Sequence, residues 1–345
     1  MGDLYLQPIT TDVGRHATRF NLAGSPQPSV ISSAIGELKH PRVLPGGALP
    51  TSDGPHVGPL VSSHPGAFRL TYPFSPDGSV DVGNYTSLLV HAHDSLSCKP
   101  GEHPVLLTEN YPRYSNRASI AESLFESLSV PALYFAAAPV LTLYAQGLTT
   151  GGVIYVGDTC STFTPVYQGL GLAHSCARSD LAGHTATAMT RDLLCRDVGL
   201  NLVTTAEYEL AKRIKHEVAS ASPNLQASSY LLPDGTSVTV PPSTRSSILA
   251  CLFSPSDTGS ESLPVHGLAT SGVASVDVDL RSKVWESLHL VGGTASADGL
   301  AEELVRRLRE GAPDHANIRL SRPKGMDGQV FVGGSILASL SAMRG

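Results

Sequence analysis

The stretch His103-Pro104-Val105-Leu106-Leu107-Thr108-Glu109 sets a run of aliphatic residues behind a proline and closes it with polar ones. A short apolar run bounded in this way predicts a buried strand over 104–108. The period then changes. Ile120, Leu124, Phe125 and Leu128 recur at helical spacing, and Ser115 and Asn116 offer oxygens to cap the helix start. A second helix is predicted over 137–146. Val140, Leu141 and Tyr144 share one of its stripes, and Pro139 sits in the first turn, where a missing N–H costs little.

Downstream the pattern repeats. Gly151-Gly152-Val153-Ile154-Tyr155-Val156-Gly157-Asp158 reads as a strand ending in a turn, and 162–172 as a second strand with a turn near Gly169. Helices are predicted over about 180–196 and 204–220. Pro233-Asp234-Gly235 between β-formers predicts a hairpin from Tyr230 to Val240. Leu288 to Gly293 is another strand running into glycines, and 298–310 an amphipathic helix whose polar side carries Arg306-Arg307-Leu308-Arg309. Val330-Phe331-Val332-Gly333-Gly334 reads as a further strand–glycine unit before a short apolar helix, Ser335–Met343. Upstream, 24–82 is rich in Pro, Gly and Ser and predicts loops and short strands on a small accessory lobe. Pro45-Gly46-Gly47 and Ser52-Asp53-Gly54-Pro55 are its turns. Strands and helices interleaved in this way predict an α/β protein of two lobes facing a cleft.

Composition agrees with that size and class. At 345 residues the chain is long enough for two domains or one bilobed unit, and 41% apolar with 16% charged residues is the balance of a globular protein. A net charge of −6 provides no overall basic field for nucleic acid or a membrane surface. Five cysteines, at 98, 160, 176, 195 and 251, match no zinc spacing and are an odd number for a disulfide framework, so reduced thiols are expected. No basic stretch followed by an apolar run opens the sequence, so no secretory leader is expected, and no apolar run is long enough to span a membrane.

From His103 to Glu109 the sequence resembles actin almost letter for letter. The likeness continues at Asn116-Arg117, Phe125-Glu126, Val130-Pro131-Ala132-Leu133-Tyr134 and Leu143-Tyr144-Ala145. It resumes at Asp180-Leu181-Ala182-Gly183, Thr204-Thr205-Ala206-Glu207, Leu232-Pro233-Asp234-Gly235, Asp277-Val278-Asp279, Gly292-Gly293-Thr294 and Gly333 to Leu340. The blocks keep actin's order and near spacing, and the match is weak only in the first hundred residues. This resemblance to the actin family, as a divergent actin-related protein, implies the actin fold: two RNase-H-like domains with inserted outer lobes around a nucleotide cleft. It implies that 1–33, 72–145 and 329–345 form the base of the first lobe and 34–71 its outer part. It likewise makes 146–181 with 261–328 the base of the second lobe and 182–260 its outer part.

Phosphate loops of this kind need small residues that let backbone N–H groups approach phosphate, a carboxylate for the Mg²⁺ water shell, and a polar group to position the attacking water. The first loop here is Asp12-Val13-Gly14-Arg15-His16-Ala17-Thr18-Arg19. Asp12 and Gly14 fit the family pattern, and Arg19 stands where actin has a phosphate-binding lysine. Arg15 and His16 replace small residues. Either Arg15 contacts phosphate by a charge-assisted bond, or these side chains fill an empty cleft. In the second loop Gly157 and Asp158 fit, Thr159 replaces a glycine, and Tyr155 stands where actin has an acidic residue tied to metal and water. Ala138 stands where actin has the glutamine that helps orient the water. The expectation is a pseudo-ATPase with no catalytic residue and no resident metal ligand. At the nucleoside end Gly183, Lys212, Lys215, Gly292, Gly293 and Thr294 match or nearly match adenosine-contacting positions. His216 replaces an acidic residue, Ala297 a tyrosine and Asp327 a lysine. The cofactor is thus left open between static ATP or ADP and none; the glycines also end strands in any such fold.

Polymerisation is not expected. Phe253-Ser254-Pro255-Ser256 is followed by Asp257-Thr258-Gly259-Ser260 where actin carries an apolar plug, and polar residues cannot supply that contact. The loop at 40–57, which would grip a neighbouring subunit, is rewritten with Pro and Gly. The last helices of actin's base have no counterpart before Gly345, which is expected to leave apolar surface for a partner. The resemblance therefore implies a structural subunit docked to other protein subunits of a larger complex, with no homofilament, no nucleic acid and no membrane. A cytoplasmic, cytoskeletal setting of axonemal or dynein-associated kind is expected, with a nuclear chromatin-remodelling complex as the alternative. The competing readings are an active ATPase or sugar-kinase-like phosphotransferase, and a polymerising cytoskeletal actin.

Overall fold

The computed structural model describes residues 7–39, 54–110 and 116–340. The turns at 45–47 and 52–53, most of the 40–57 loop, the Ser115 capping oxygen and the helix end through Met343 lie outside these residues. The chain divides into two compact units, Met1–Ala145 with Val330–Gly345, and Gln146–Gln329.

In the first unit the elements run β1 (Ile9–Val13), β2 (Ala17–Leu22), β3 (Ser29–Ser32), β4 (Ile35–Leu38), α1 (Pro59–Ser63), β5 (Phe68–Thr71), α2 (Val82–Ser95), β6 (Val105–Glu109), α3 (Arg117–Ser127), β7 (Leu133–Ala137) and α4 (Ala138–Ala145). Among the described residues they build a five-stranded sheet in the order β3-β2-β1-β6-β7. The β1–β2 hairpin is antiparallel, while β6 runs parallel to β1 and β7. All five residues of β6 are buried, as a central parallel strand requires with helices on both faces. Leu88 and Leu89 of α2 with Ile120 and Leu124 of α3 cover one face, against Val105 and Leu107. Leu106 packs the other face with Leu141 of α4 and with Val330 and Ala338 near the chain end. β4 and β5 form a separate two-stranded sheet with its own small core of Ala34, Val61, Phe68 and Leu70. β3 falls within the 24–82 stretch read from composition as accessory lobe, yet it pairs with β2 in the main sheet, within the 1–33 segment that the resemblance assigned to the base.

The second unit runs β8 (Gly151–Val156), β9 (Ser161–Tyr167), β10 (Leu170–Gly171), β11 (Ala177–Ser179), α5 (Gly183–Asp197), α6 (Thr205–Val218), β12 (Ser228–Leu231), β13 (Ser237–Val240), α7 (Pro242–Ala250), α8 (Val265–Ala274), α9 (Val278–Trp285), β14 (Leu288–Val291), α10 (Leu300–Gly311) and β15 (Leu320–Ser321). Its main sheet has the order β10-β9-β8-β14-β15, with β11 also on β9. The β8–β9 hairpin is antiparallel, and β14 runs parallel to β8 and β15. The two sheets thus repeat one topology, with β8, β9, β14 and β15 in the places of β1, β2, β6 and β7. Helix α6 starts on a reciprocal cap: Glu207 N–H donates to Thr204 Oγ1 at 3.3 Å and Thr204 N–H donates to Glu207 Oε2 at 2.6 Å.

Two sequence expectations need correction. Asn116 does not cap α3 with its side chain; its Nδ2 donates to Val80 O at 3.0 Å, tying the helix start to the segment before α2. Residues 330–334 are not a strand. They lie within one helix, α11 (Gln329–Ser339), that runs through both glycines. The physical reason is a close backbone crossing: a Cβ on Gly333 would overlap the Leu141 carbonyl oxygen of α4, and one on Gly334 would lie 2.8 Å from the Thr10 methyl. Gly333 serves the contact of α11 with α4 and Gly334 the approach of α11 to β1; neither ends a strand. Gly333→Ala is expected to lower the unfolding free energy by about 1–3 kcal/mol, the usual cost of overpacking. Gly66→Ala, whose Cβ meets nothing within 4 Å, is the control for denaturant titration.

Candidate functional site

Each unit presents a loop at the end of its first hairpin. In the first unit Asp12 faces Arg19 across the β1–β2 register, and Gly14 N–H closes the turn on Ala17 O at 3.1 Å. Asp12 accepts a 2.5 Å hydrogen bond from Thr108 Oγ1 at the end of β6. Glu109, next along, is buried, and its Oε2 lies 3.7 Å from Arg117 Nε. The Arg117 guanidinium in turn stacks over the Phe135 ring at 4.4 Å. The Tyr85 hydroxyl lies buried in the field of both carboxylates; burial first, then Asp12 and Glu109, hold its proton on far above the ordinary tyrosine range.

The bulky residues of the first loop take separate paths. His16 is exposed. Arg15 is 8% exposed: its Nε donates to Phe74 O at 3.0 Å and its guanidinium lies 4.7 Å over the Tyr72 ring. Ala138 is buried at the start of α4 in the apolar cluster of Ala23, Leu106 and Leu141.

In the second unit the loop is bound into its surroundings. Gly157 N–H donates to Cys160 O at 3.1 Å, and Gly157 O accepts from Gly183 N–H at 2.8 Å and Thr294 Oγ1 at 2.9 Å. Asp158 O accepts from His184 N–H at 2.8 Å. The Tyr155 ring folds onto the loop, so a Cβ on Gly157 would lie 2.5 Å from its Cε1. Gly183 is pressed against the same pair of elements, its would-be Cβ 2.5 Å from Thr294 Oγ1 and 2.8 Å from Asp158 Oδ1. Gly292 has φ +110° and packs against the Val156 carbonyl, a place open only to glycine. Gly293 has an ordinary helical φ and open space around it.

Two lysines of α6 are buried beneath this loop. Lys215 Nζ donates to Gly183 O at 2.9 Å and Thr187 Oγ1 at 3.0 Å, and lies 4.0 Å from Asp158 Oδ1. Two of the three donors of the ammonium are thus spent on Gly183 and Thr187, and Asp158 is reached as a longer ion pair. Burial pushes Lys215 down to about 8, the more distant Asp158 carboxylate only partly opposing it. Lys212 Nζ pairs with Glu209 Oε1 at 3.2 Å. His216 is exposed on α6, yet the desolvation of its ring first, and then the Lys215 and Lys212 charges, hold it down at about 4. Ala297 is partly buried against the core and Asp327 is exposed. Among the described residues no group of three or more His, Cys, Asp or Glu side chains is placed to hold a metal ion.

A family model described as actin matches residues 4–217 and 201–344. The chain belongs to the actin family. Its α/β sheets of repeated topology are the actin fold.

Within each unit the structure brings together many of the residues that the actin likeness singled out. Asp12, Gly14, Arg15 and Arg19 share the first hairpin, and Gly157, Asp158, Gly183, Lys215, Gly292 and Thr294 share one hydrogen-bonded or packed cluster. Lys212 lies one helical turn before Lys215 with its own carboxylate. Sequence reasoning passed over Thr108, Glu109, Arg117 and Tyr85, which surround or neighbour Asp12, and Glu209 and Thr187, which hold the lysines. A signal for the first pair was present: two polar residues end a fully buried parallel strand, where α/β sheets gather functional groups.

Proposed function

We propose that this actin-family chain is a non-polymerising structural subunit of a multiprotein assembly and does not hydrolyse ATP. The observation that carries this reading is the Tyr155 ring lying over Gly157 in the second loop. Where actin has an acidic residue for the metal and its water, this chain has a phenol. Beside it, the Asp158 carboxylate is 9% exposed and faces the Lys215 ammonium. A Mg²⁺ water shell needs accessible hard oxygen ligands, and this loop does not fit one. Ala138 supports the same reading: a buried methyl group cannot orient an attacking water.

The plug region supports the absence of a homofilament. Residues 255–258 close into a tight turn, with Ser260 N–H donating to Pro255 O at 3.2 Å and Gly259 in the left-handed region. Ser256, Asp257 and Gly259 are exposed there, and the nearby aromatic, Phe253, is buried. Such a turn offers a neighbouring copy no apolar anchor.

The test is single-turnover incubation with γ-labelled ATP and Mg²⁺, with sedimentation in polymerising salt on the same preparation. Phosphate release at the level of buffer and a wholly soluble chain are expected. Release in step with the amount of protein, or a pelleting polymer, would overturn the proposal. Affinity capture from cells of origin then reads out the assembly, and recovery of the chain as a lone monomer counts against it.

A further inference from the structure

The small sheet of β4 and β5 is an insertion in the first unit, and the chain crosses to it and back at two places. The outward crossing follows β3 at Ser33-Ala34. The return crossing follows β5 at Tyr72-Pro73-Phe74. Both are fastened to the same short stretch, the β1–β2 turn and the first residues of β2. On the outward side Ser33 N–H donates to His16 O at 3.1 Å, and the Ser33 and Thr18 hydroxyls share a 2.8 Å hydrogen bond. Ser33 and Thr18 are both buried. On the return side Arg15 Nε donates to Phe74 O at 3.0 Å, and the guanidinium covers the Tyr72 ring at 4.7 Å.

We propose that the Gly14–Thr18 turn is a built-in staple that fixes the β4–β5 insertion on its base without any bound phosphate, with Arg15 as its working part. A guanidinium suits this task. It is planar, stacks on an aromatic face and donates in plane at the same time, and it stays charged at any pH the fold survives. At 8% exposure these contacts are shielded from water and salt, unlike a surface pair. The turn itself is narrow, since a Cβ on Gly14 would meet Ala17 O at 3.0 Å, so Arg15 leaves it in a set direction. In a loop that holds a ligand by its backbone amides, the ligand links the loop to whatever else touches it. Here a side chain of the loop makes that link. The inference deepens the structural-subunit reading: a part held in one arrangement by its own arginine presents a constant face to its partners.

Amide hydrogen exchange on the full chain tests it, comparing peptides covering 33–38 and 68–74 with β6 as internal reference. In the wild type, exchange in the two crossings is expected to be unchanged by Mg·ATP at millimolar concentration. Arg15→Ala is expected to speed exchange in both crossings about tenfold or more while β6 stays protected, because opening there no longer breaks the staple. Tyr72→Ala removes only the stacking and is expected to give a smaller rise in the same peptides, which keeps the test available should Arg15→Ala fail to fold. Unaltered exchange in both variants overturns the staple, as does a several-fold slowing of the wild-type crossings by Mg·ATP. Phosphate release from the same samples separates the two proposals: hydrolysis with nucleotide-insensitive crossings sinks the pseudo-ATPase reading and leaves the staple standing.

Discussion

Replacing Lys215 with methionine is expected to lower the unfolding free energy by about 3–5 kcal/mol, the cost of removing one member of a buried ion pair. The reason lies in what stays behind. The Asp158 carboxylate is 9% exposed and loses its buried ammonium, and the Gly183 carbonyl and Thr187 hydroxyl lose a donor. Gly183 opens α5 and donates its own N–H to Gly157, so the loss reaches the loop through one residue. The pair is long, at 4.0 Å, and burial outweighs its attraction enough to push Lys215 down to about 8. The pair is therefore a costly one, and removing both charges restores much of the loss. The double variant Lys215→Met with Asp158→Asn is expected to cost about 1–3 kcal/mol less than the sum of the single variants. Urea titration at constant slope measures all three. A Lys215→Met cost below about 1 kcal/mol, smaller than an ordinary buried hydrogen bond to a charge, would show that the ammonium does not hold the loop.

That lysine shows what the sequence could and could not deliver. Its position on a helix was legible from period, and the actin likeness implied a role at the nucleoside end. That its ammonium turns inward to Gly183, Thr187 and Asp158 was not legible, because those residues lie 28 to 57 positions away, on α5 and in the β8–β9 turn, and meet it only through the packing of those elements on α6. The β-elements show the same division. The β6 run, the β8–β9 hairpin and the Pro233-Asp234-Gly235 turn were read from local patterns, since each is fixed by residues adjacent in sequence. Helix α2 gave no reading although Tyr85, Leu88, Leu89 and Ala92 keep helical spacing. Its Asn, Ser, Thr and His residues break the apolar run, and Asp81, which accepts from Asn84 N–H at 2.9 Å, is the start signal that was passed over.

Gly333-Gly334 misled for a physical reason. Two glycines after three apolar residues end a strand in one context and let a helix lie close to its neighbours in another, and only the facing residues, Leu141 of α4 for Gly333 and Thr10 of β1 for Gly334, decide between them. Arg15 is the opposite case. Sequence posed two alternatives, contact with phosphate or filling of a cleft, and the structure shows the side chain engaged with Phe74 and Tyr72 of its own unit. A departure from a family pattern was visible; where the departing side chain goes depends on residues that the pattern does not include.

Acid is expected to destabilise the chain between pH 6.5 and pH 4, and His216 contributes to that window. In the unfolded chain its imidazole titrates near 6.5, whereas in the folded chain it is held at about 4. Between these values the unfolded state binds a proton that the native state refuses, so falling pH draws the equilibrium toward unfolding. The His216 side chain is itself exposed on α6, so solvent screens much of this shift, and the loss from this group across the window is about 1 kcal/mol or less. His93, His266 and His289 are also held down, in each case first by burial, and add to the same slope. Glu303, pulled down to about 2 first by its Arg306 hydrogen bond, gives up its stabilisation only below the ordinary carboxylate range, so it does not shape the upper part of the curve. The cause at His216 is desolvation first and then charge: Lys215 and Lys212 lie beside it on α6, and protonation would set a third cation near two buried ones. His216→Gln removes that titration while keeping a polar amide of similar length. Urea midpoints taken at intervals from pH 7.5 to pH 4 should fall more gently in this variant than in the wild type, by about 1 kcal/mol or less over the range. Parallel curves would mean that His216 gains its proton without cost and that the cationic crowding at α6 is relieved in solution.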